Sequence, residues 1–169
     1  MTLVSPATVG VRLQFDRPPT LRMISTTRSF VEDLYTPIVG SDAATSMAMV
    51  VHELMENLTK YATDAPMALA VDLDRGLGHH CVCIATTNNV QKQQLPRLEE
   101  LLAEIASSSD PRATFQAFIG RSVEQNQGSR LGLARIRAEA GMELRWEVEG
   151  TTVTIRAETR LPMETTDGR

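Results

Sequence analysis

An α+β fold is predicted, with a mixed, mostly antiparallel sheet covered on one face by helices. Three observations carry it. Residues of alternating polarity stand near both ends of the chain, as half-buried strands require. A long segment between them carries apolar residues at spacings of three and four, the pattern of a helix with one buried side. A short alternating hairpin follows that helix, so strands and helices are grouped rather than strictly interleaved.

The elements follow in order. Val9, Val11, Leu13 and Phe15 alternate with polar or small residues and predict a first strand, ended by Arg17-Pro18-Pro19. Leu21 to Leu34 predicts a helix with Phe30, Val31 and Leu34 as apolar positions. Gly40-Ser41-Asp42 breaks the chain and offers a cap to the next helix, about Ala43 to Ala62. Met47, Val50, Val51, Leu54, Leu58 and Tyr61 form its apolar stripe, and Ala65-Pro66 stops it. Met67 to Leu73 and His80 to Ala85 read as a hairpin about Arg75-Gly76-Leu77-Gly78, with Thr86 to Asn89 leaving it as a polar loop. Two helices are expected at Leu95 to Ala106 and Arg112 to about Glu124, the second opened by Pro111. After the polar run Gln125 to Arg130, Leu131 to Ala140 forms a short helix closed by Gly141. Met142 to Val148 and Val153 to Glu158 make a final hairpin, and the tail beyond Pro162 should fray.

A length of 169 residues suits one domain spanning 1–169, with its core at about 9–158. At 42% hydrophobic residues the chain can build a core and is not globally disordered. A formal net charge of -4, with both signs dispersed, argues against a nucleic-acid binder. No apolar run is long enough to span a membrane, and the opening segment reads as a strand, not a signal peptide. Cys81 and Cys83 share one strand face and are poorly placed to bridge each other, which fits a cytoplasmic protein.

The chemistry concentrates in two segments. In the long helix, Glu53 and Asn57 are four apart and share a face that Lys60 extends. A carboxylate, a carboxamide and an ammonium beside an apolar stripe suit a nucleotide–metal site. The same residue types on a helix flank also form ordinary solvated faces. His52-Glu53 is not a zinc-protease helix, because Asn57 stands where a second His is required. His79, His80, Cys81 and Cys83 cluster without the spacing of a common zinc module. The second segment is Gly128-Ser129-Arg130-Leu131-Gly132-Leu133, whose glycines straddle a loop-to-helix junction and permit close backbone approach to an anion.

Together the two segments resemble the GHKL superfamily. Glu53 to Ala62 is similar to its N-box, and Gly128 to Leu133 to its G2-box. The resemblance implies a Bergerat-type two-layer sandwich that binds ATP and Mg²⁺. It implies that Asn57 holds Mg²⁺, that Glu53 is the general base or its orienter, and that Lys60 approaches the phosphates. Gly128, Arg130 and Gly132 would form the phosphate loop. The family's G1-box, Asp-x-Gly-x-Gly, is missing. Thr86-Thr87-Asn88-Asn89 stands there, and Asn88 is the candidate acceptor for the adenine amine. No histidine-bearing dimerisation hairpin precedes the N-box, which excludes a complete two-component sensor. These departures resemble the stand-alone SiaB-like kinases of bacterial partner switching. That resemblance implies a serine/threonine kinase acting on a small STAS-domain protein, or, with the G1-box lost, an inactive module that sequesters a regulatory protein. A homodimer is the commonest symmetric assembly open to such a domain.

Overall fold

A computed structural model describes residues 8–63, 66–76, 78–125 and 131–163, with backbone alone for 122–125. Strand β1 (Thr8–Phe15) leads into helices α1 (Leu21–Val39) and α2 (Ser41–Tyr61). Strands β2 (Met67–Arg75) and β3 (His79–Asn89) follow. A short 3-10 turn (Lys92–Gln94) precedes α3 (Leu95–Ser107), α4 (Pro111–Gln125) and α5 (Leu131–Glu139), and β4 (Glu143–Glu149) and β5 (Thr152–Pro162) end the fold. The strands form one sheet in the order β1-β2-β3-β5-β4. Every pairing between them is antiparallel, so among the described residues the sheet carries none of the parallel pairing that a mixed sheet would contain.

Alternation decides which face enters the core. Met67, Leu69, Val71 and Leu73 of β2 and Val82 and Ile84 of β3 are buried, as are Val153, Ile155 and Ala157 of β5. The residues between them on β2 and β3 are half-buried or exposed, which leaves the opposite face uncovered by helices. Cys81 and Cys83 lie on that opposite face as free, half-buried thiols. Burial, and secondarily the nearby Glu158 and Asp72 carboxylates, push the Cys83 thiol up from its ordinary range.

Helix α2 is the centre of the molecule. Met47, Val50, Val51, Leu54 and Leu58 are fully buried, as the spacing predicts, and Tyr61 is partly buried against the core. Ala44, Ala48 and Met55 are also fully buried, because α2 packs on α1 as well as on β3. Buried Tyr35 of α1 reaches the carbonyls of Val9 (3.1 Å) and Val71 (3.2 Å), tying the helix pair to β1 and β2. Its phenol is pushed up to about 12, chiefly by burial.

Several boundaries differ from the sequence expectation. Helix α1 continues past Leu34 to Val39 with Pro37 inside its last turn, where the missing N–H forgoes one bond to the carbonyl of Asp33. Gly40, at φ 83°, turns the chain and is itself the N-cap of α2, which has no side-chain cap; Asp42 lies inside the helix. Strand β3 does not end at Ala85. Thr86 to Asn89 are paired residue by residue with Ile155 to Thr152 of β5. The Thr87–Thr154 hydroxyl pair (2.9 Å) and Thr152 donating to Asn89 Oδ1 (2.8 Å) extend that ladder.

Side chains link the helices between β3 and β4: Arg121 of α4 pairs with Glu104 of α3 at 2.8 Å. Arg137 of α5 donates through Nη1 to the carbonyls of Ile105 (2.6 Å), Ala106 (2.9 Å) and Ser108 (3.1 Å). These lie at the C-terminal end of α3, where carbonyls lack intrahelical partners and a cation is favoured.

Candidate functional site

The site is built on the side of α2 next to its apolar stripe. Glu53 and Asn57 are not on a solvated face: they are 9% and 6% exposed. Asn57 Nδ2 is buried with no hydrogen-bond partner among the described residues. A buried carboxamide left with an unused donor is costly and marks a place where a further polar group fits. Lys60, one turn on, is not buried with Glu53 and Asn57. It pairs with Glu56 at 3.0 Å and remains partly exposed. That hydrogen bond, and then the Lys60 and His52 charges, hold the Glu56 carboxyl below its usual range.

Helix α5 approaches the same face. A β-carbon added at Gly132 would overlap Glu53 Oε2 and stand 3.3 Å from Glu53 Cδ. Only glycine lets the first turn of α5 lie so close to that carboxylate. Arg135, one turn further along α5, donates from Nη1 to Glu53 Oε1 at 3.1 Å and from Nε to Glu139 Oε2 at 2.6 Å. Hydrogen bonding to Glu139, and to a lesser degree to Glu53, raises the guanidinium above its ordinary range against partial burial. A buried carboxylate needs such a partner. The structure therefore brings Gly132 against Glu53, 79 residues away in sequence, with buried Asn57 one turn along α2 from that carboxylate.

Asn88 sits on the core-facing side of β3, 7% exposed, beyond Thr86, which is 2% exposed. Its Nδ2 donates to the carbonyl of Asn89 at 3.2 Å. The buried polar pair Thr86 and Asn88 continues the line of Val82 and Ile84 along the strand against which α2 packs. Gly128 and Arg130 lie outside the described residues.

The residues present fit a nucleotide with a hard cation in kind. Asn57 offers a carboxamide with a free donor on one atom, and its oxygen is a hard-cation ligand type. Glu53 adds a carboxylate and Arg135 a cation suited to phosphate oxygens. Arg135 was not singled out by the sequence. Its only local signal is a position three residues after Gly132, on the same side of α5.

The α+β architecture and the meeting of the Glu53–Asn57 helix with the Gly132 helix define a domain of GHKL-type fold. Among solved structures the chain is similar to one in the crystal structure of the SiaB-SiaC complex from Pseudomonas aeruginosa. The TM-score is 0.59 at 17% identity, over 88% of this chain and 89% of that one. A lower similarity, TM-score 0.41 at 11% identity, is to the histidine kinase domain of the blue-light activated histidine kinase EL346 from Erythrobacter litoralis. It covers 83% of this chain and 61% of that one. No family model matches the sequence, and no curated protein matches it.

Proposed function

We propose that this protein is an ATP- and Mg²⁺-dependent serine/threonine kinase of GHKL type that acts on a small STAS-domain protein in partner switching. The observation that carries the reading is the close approach of Gly132 to Glu53, one turn from a buried Asn57 carboxamide whose donor has no partner among the described residues. Asn57 would hold the metal, and Glu53 would accept the proton of the attacking hydroxyl or orient it. Asn88 would accept from the adenine amine, with Lys60, Gly128 and Arg130 near the phosphates. Mg²⁺, when bound, neutralises phosphate charge. The protein's own part is positioning: α2 fixes the carboxylate and carboxamide, and α5 brings its first turn against them.

A second reading has its own support. The place of the glycine-rich G1-box is a fully paired strand end, Thr86–Asn89. Glu53 is engaged by Arg135. Both favour a GHKL-like module that sequesters a regulatory protein without phosphorylating it.

One variant separates the readings. Glu53→Gln keeps size and most hydrogen bonding but removes the basic carboxylate. In the kinase it retains ATP binding by calorimetry and loses roughly 10²–10⁴-fold in transfer of labelled phosphate to a STAS-domain partner, the usual worth of general-base help. Parent and variant phosphorylating at the same rate would remove Glu53 from the base role. A parent that binds no nucleotide at millimolar concentration would sink the kinase reading altogether and leave the binding module.

A further inference from the structure

The opposite end of β3 borders a cavity. His80 lies eight residues before Asn88 on the same face of the strand, roughly 27 Å away at about 3.4 Å per residue. It lines a cavity of about 570 Å³ formed by the C-terminal turn of α1, the ends of β2 and β5 and the start of β3. That volume is within the range of small-molecule pockets, roughly 300–1,000 Å³. Val9, Ile38, Val39, Leu73, Pro162 and Met163 supply the apolar part of its walls, beside Thr36 and Gly40.

Two nitrogen-bearing side chains enter it together. Arg75 and His80 are directly opposed in the β2–β3 ladder and so project from the same face. His80 is 7% exposed, and its Nδ1 has no hydrogen-bond partner among the described residues. Arg75 is exposed at the rim and forms no ion pair among the described residues. No acidic side chain lines the cavity among the described residues. Apolar walls with one permanent cation, a buried imidazole and no countercharge are complementary to an anion with an apolar body.

We infer that this cavity is a binding site for a small aliphatic carboxylate, its carboxylate meeting Arg75 beside His80 and its chain lying on the apolar walls. The site is separate from the Glu53–Asn57 face and does not depend on nucleotide binding there.

The test is a titration of the isotope-labelled full chain with sodium hexanoate, followed by amide and imidazole chemical shifts, with 1-hexanol as the uncharged counterpart. Hexanoate should shift His80, Arg75 and Val39 saturably, with half-saturation on the order of 1 mM, a range reached by ligands of about eight non-hydrogen atoms. Arg75→Gln, at an exposed position that the fold does not need, should weaken hexanoate roughly tenfold or more and leave hexanol unchanged; a charge-assisted contact is worth about that. No saturable shift up to about 50 mM, far above that expected half-saturation, overturns the proposal. So does hexanoate binding to Arg75→Gln as tightly as to the parent. Shifts confined to residues of the Glu53–Asn57 face would also overturn it, since that places the ligand elsewhere.

Discussion

The two sides of α2 are built from the same helix and are almost equally buried, yet they are buried for different ends. On one side Met47, Val50, Leu54 and Leu58 meet sheet and helix with no exposed surface at all. On the other, Glu53 and Asn57 are nearly as enclosed but are polar, and one donor atom there has no partner among the described residues. Burial of the first side lowers the free energy of the fold. Burial of the second raises it unless something polar is supplied. The difference teaches that depth alone does not mark a core: the same enclosure holds the structure together on one flank and withholds a partner on the other.

That contrast can be broken by substitution. The largest effect is expected on the apolar side. Leu54→Ala or Leu58→Ala should each cost about 2–5 kcal/mol in denaturant unfolding, as fully buried large-to-small changes do. Gly132→Ala comes next. Pressing a methyl group on Glu53 costs roughly 1–3 kcal/mol of overpacking, offset by about 1 kcal/mol of better helix propensity. A net loss of up to about 2 kcal/mol should disappear when Glu53→Ala is combined with it, a coupling read from the double-mutant cycle. Unchanged cost in the double variant would mean that Gly132 does not abut Glu53.

Asn57→Ala should change stability by about 1 kcal/mol or less, because its Nδ2 has no bond to lose among the described residues, while abolishing metal-dependent nucleotide binding in calorimetry. Equal destabilisation by Asn57→Ala and Leu54→Ala would erase the distinction between the two sides. The smallest effect is at Lys60. Its exposed pair with Glu56 is worth about 0.3–0.5 kcal/mol. The Glu56 carboxyl is lowered in the folded state relative to its unfolded value near 4.5, so the contribution is fully present above that value. It fades as pH falls through the lower folded value, and Lys60→Ala and parent should converge in stability there.

The sequence made the apolar stripe of α2 legible because helical spacing is a local signal, and the strand alternation of β2 was legible for the same reason. It also put Glu53 and Asn57 on one face. What it did not convey was their burial, which comes from α5 and β3 closing over a face that looks polar on a helical projection. Thr86-Thr87-Asn88-Asn89 reads as a loop by composition; it is strand because β5, more than sixty residues later, provides the ladder. Pro37 and Gly40 lie close together, and only the second ends α1. Arg135 reaches Glu53 across 82 residues, a contact that no short-range pattern encodes.

Arg137 has a further consequence. One guanidinium nitrogen binding three carbonyls at the end of α3 makes the last turn of that helix dependent on α5. The end of α3 therefore cannot fray by itself, as helix ends ordinarily do. In hydrogen exchange its last-turn amides should open with the same free energy as those of α5, as one cooperative unit. Any motion that lifts Gly132 from Glu53 must then either carry the end of α3 with it or first release all three carbonyls to water.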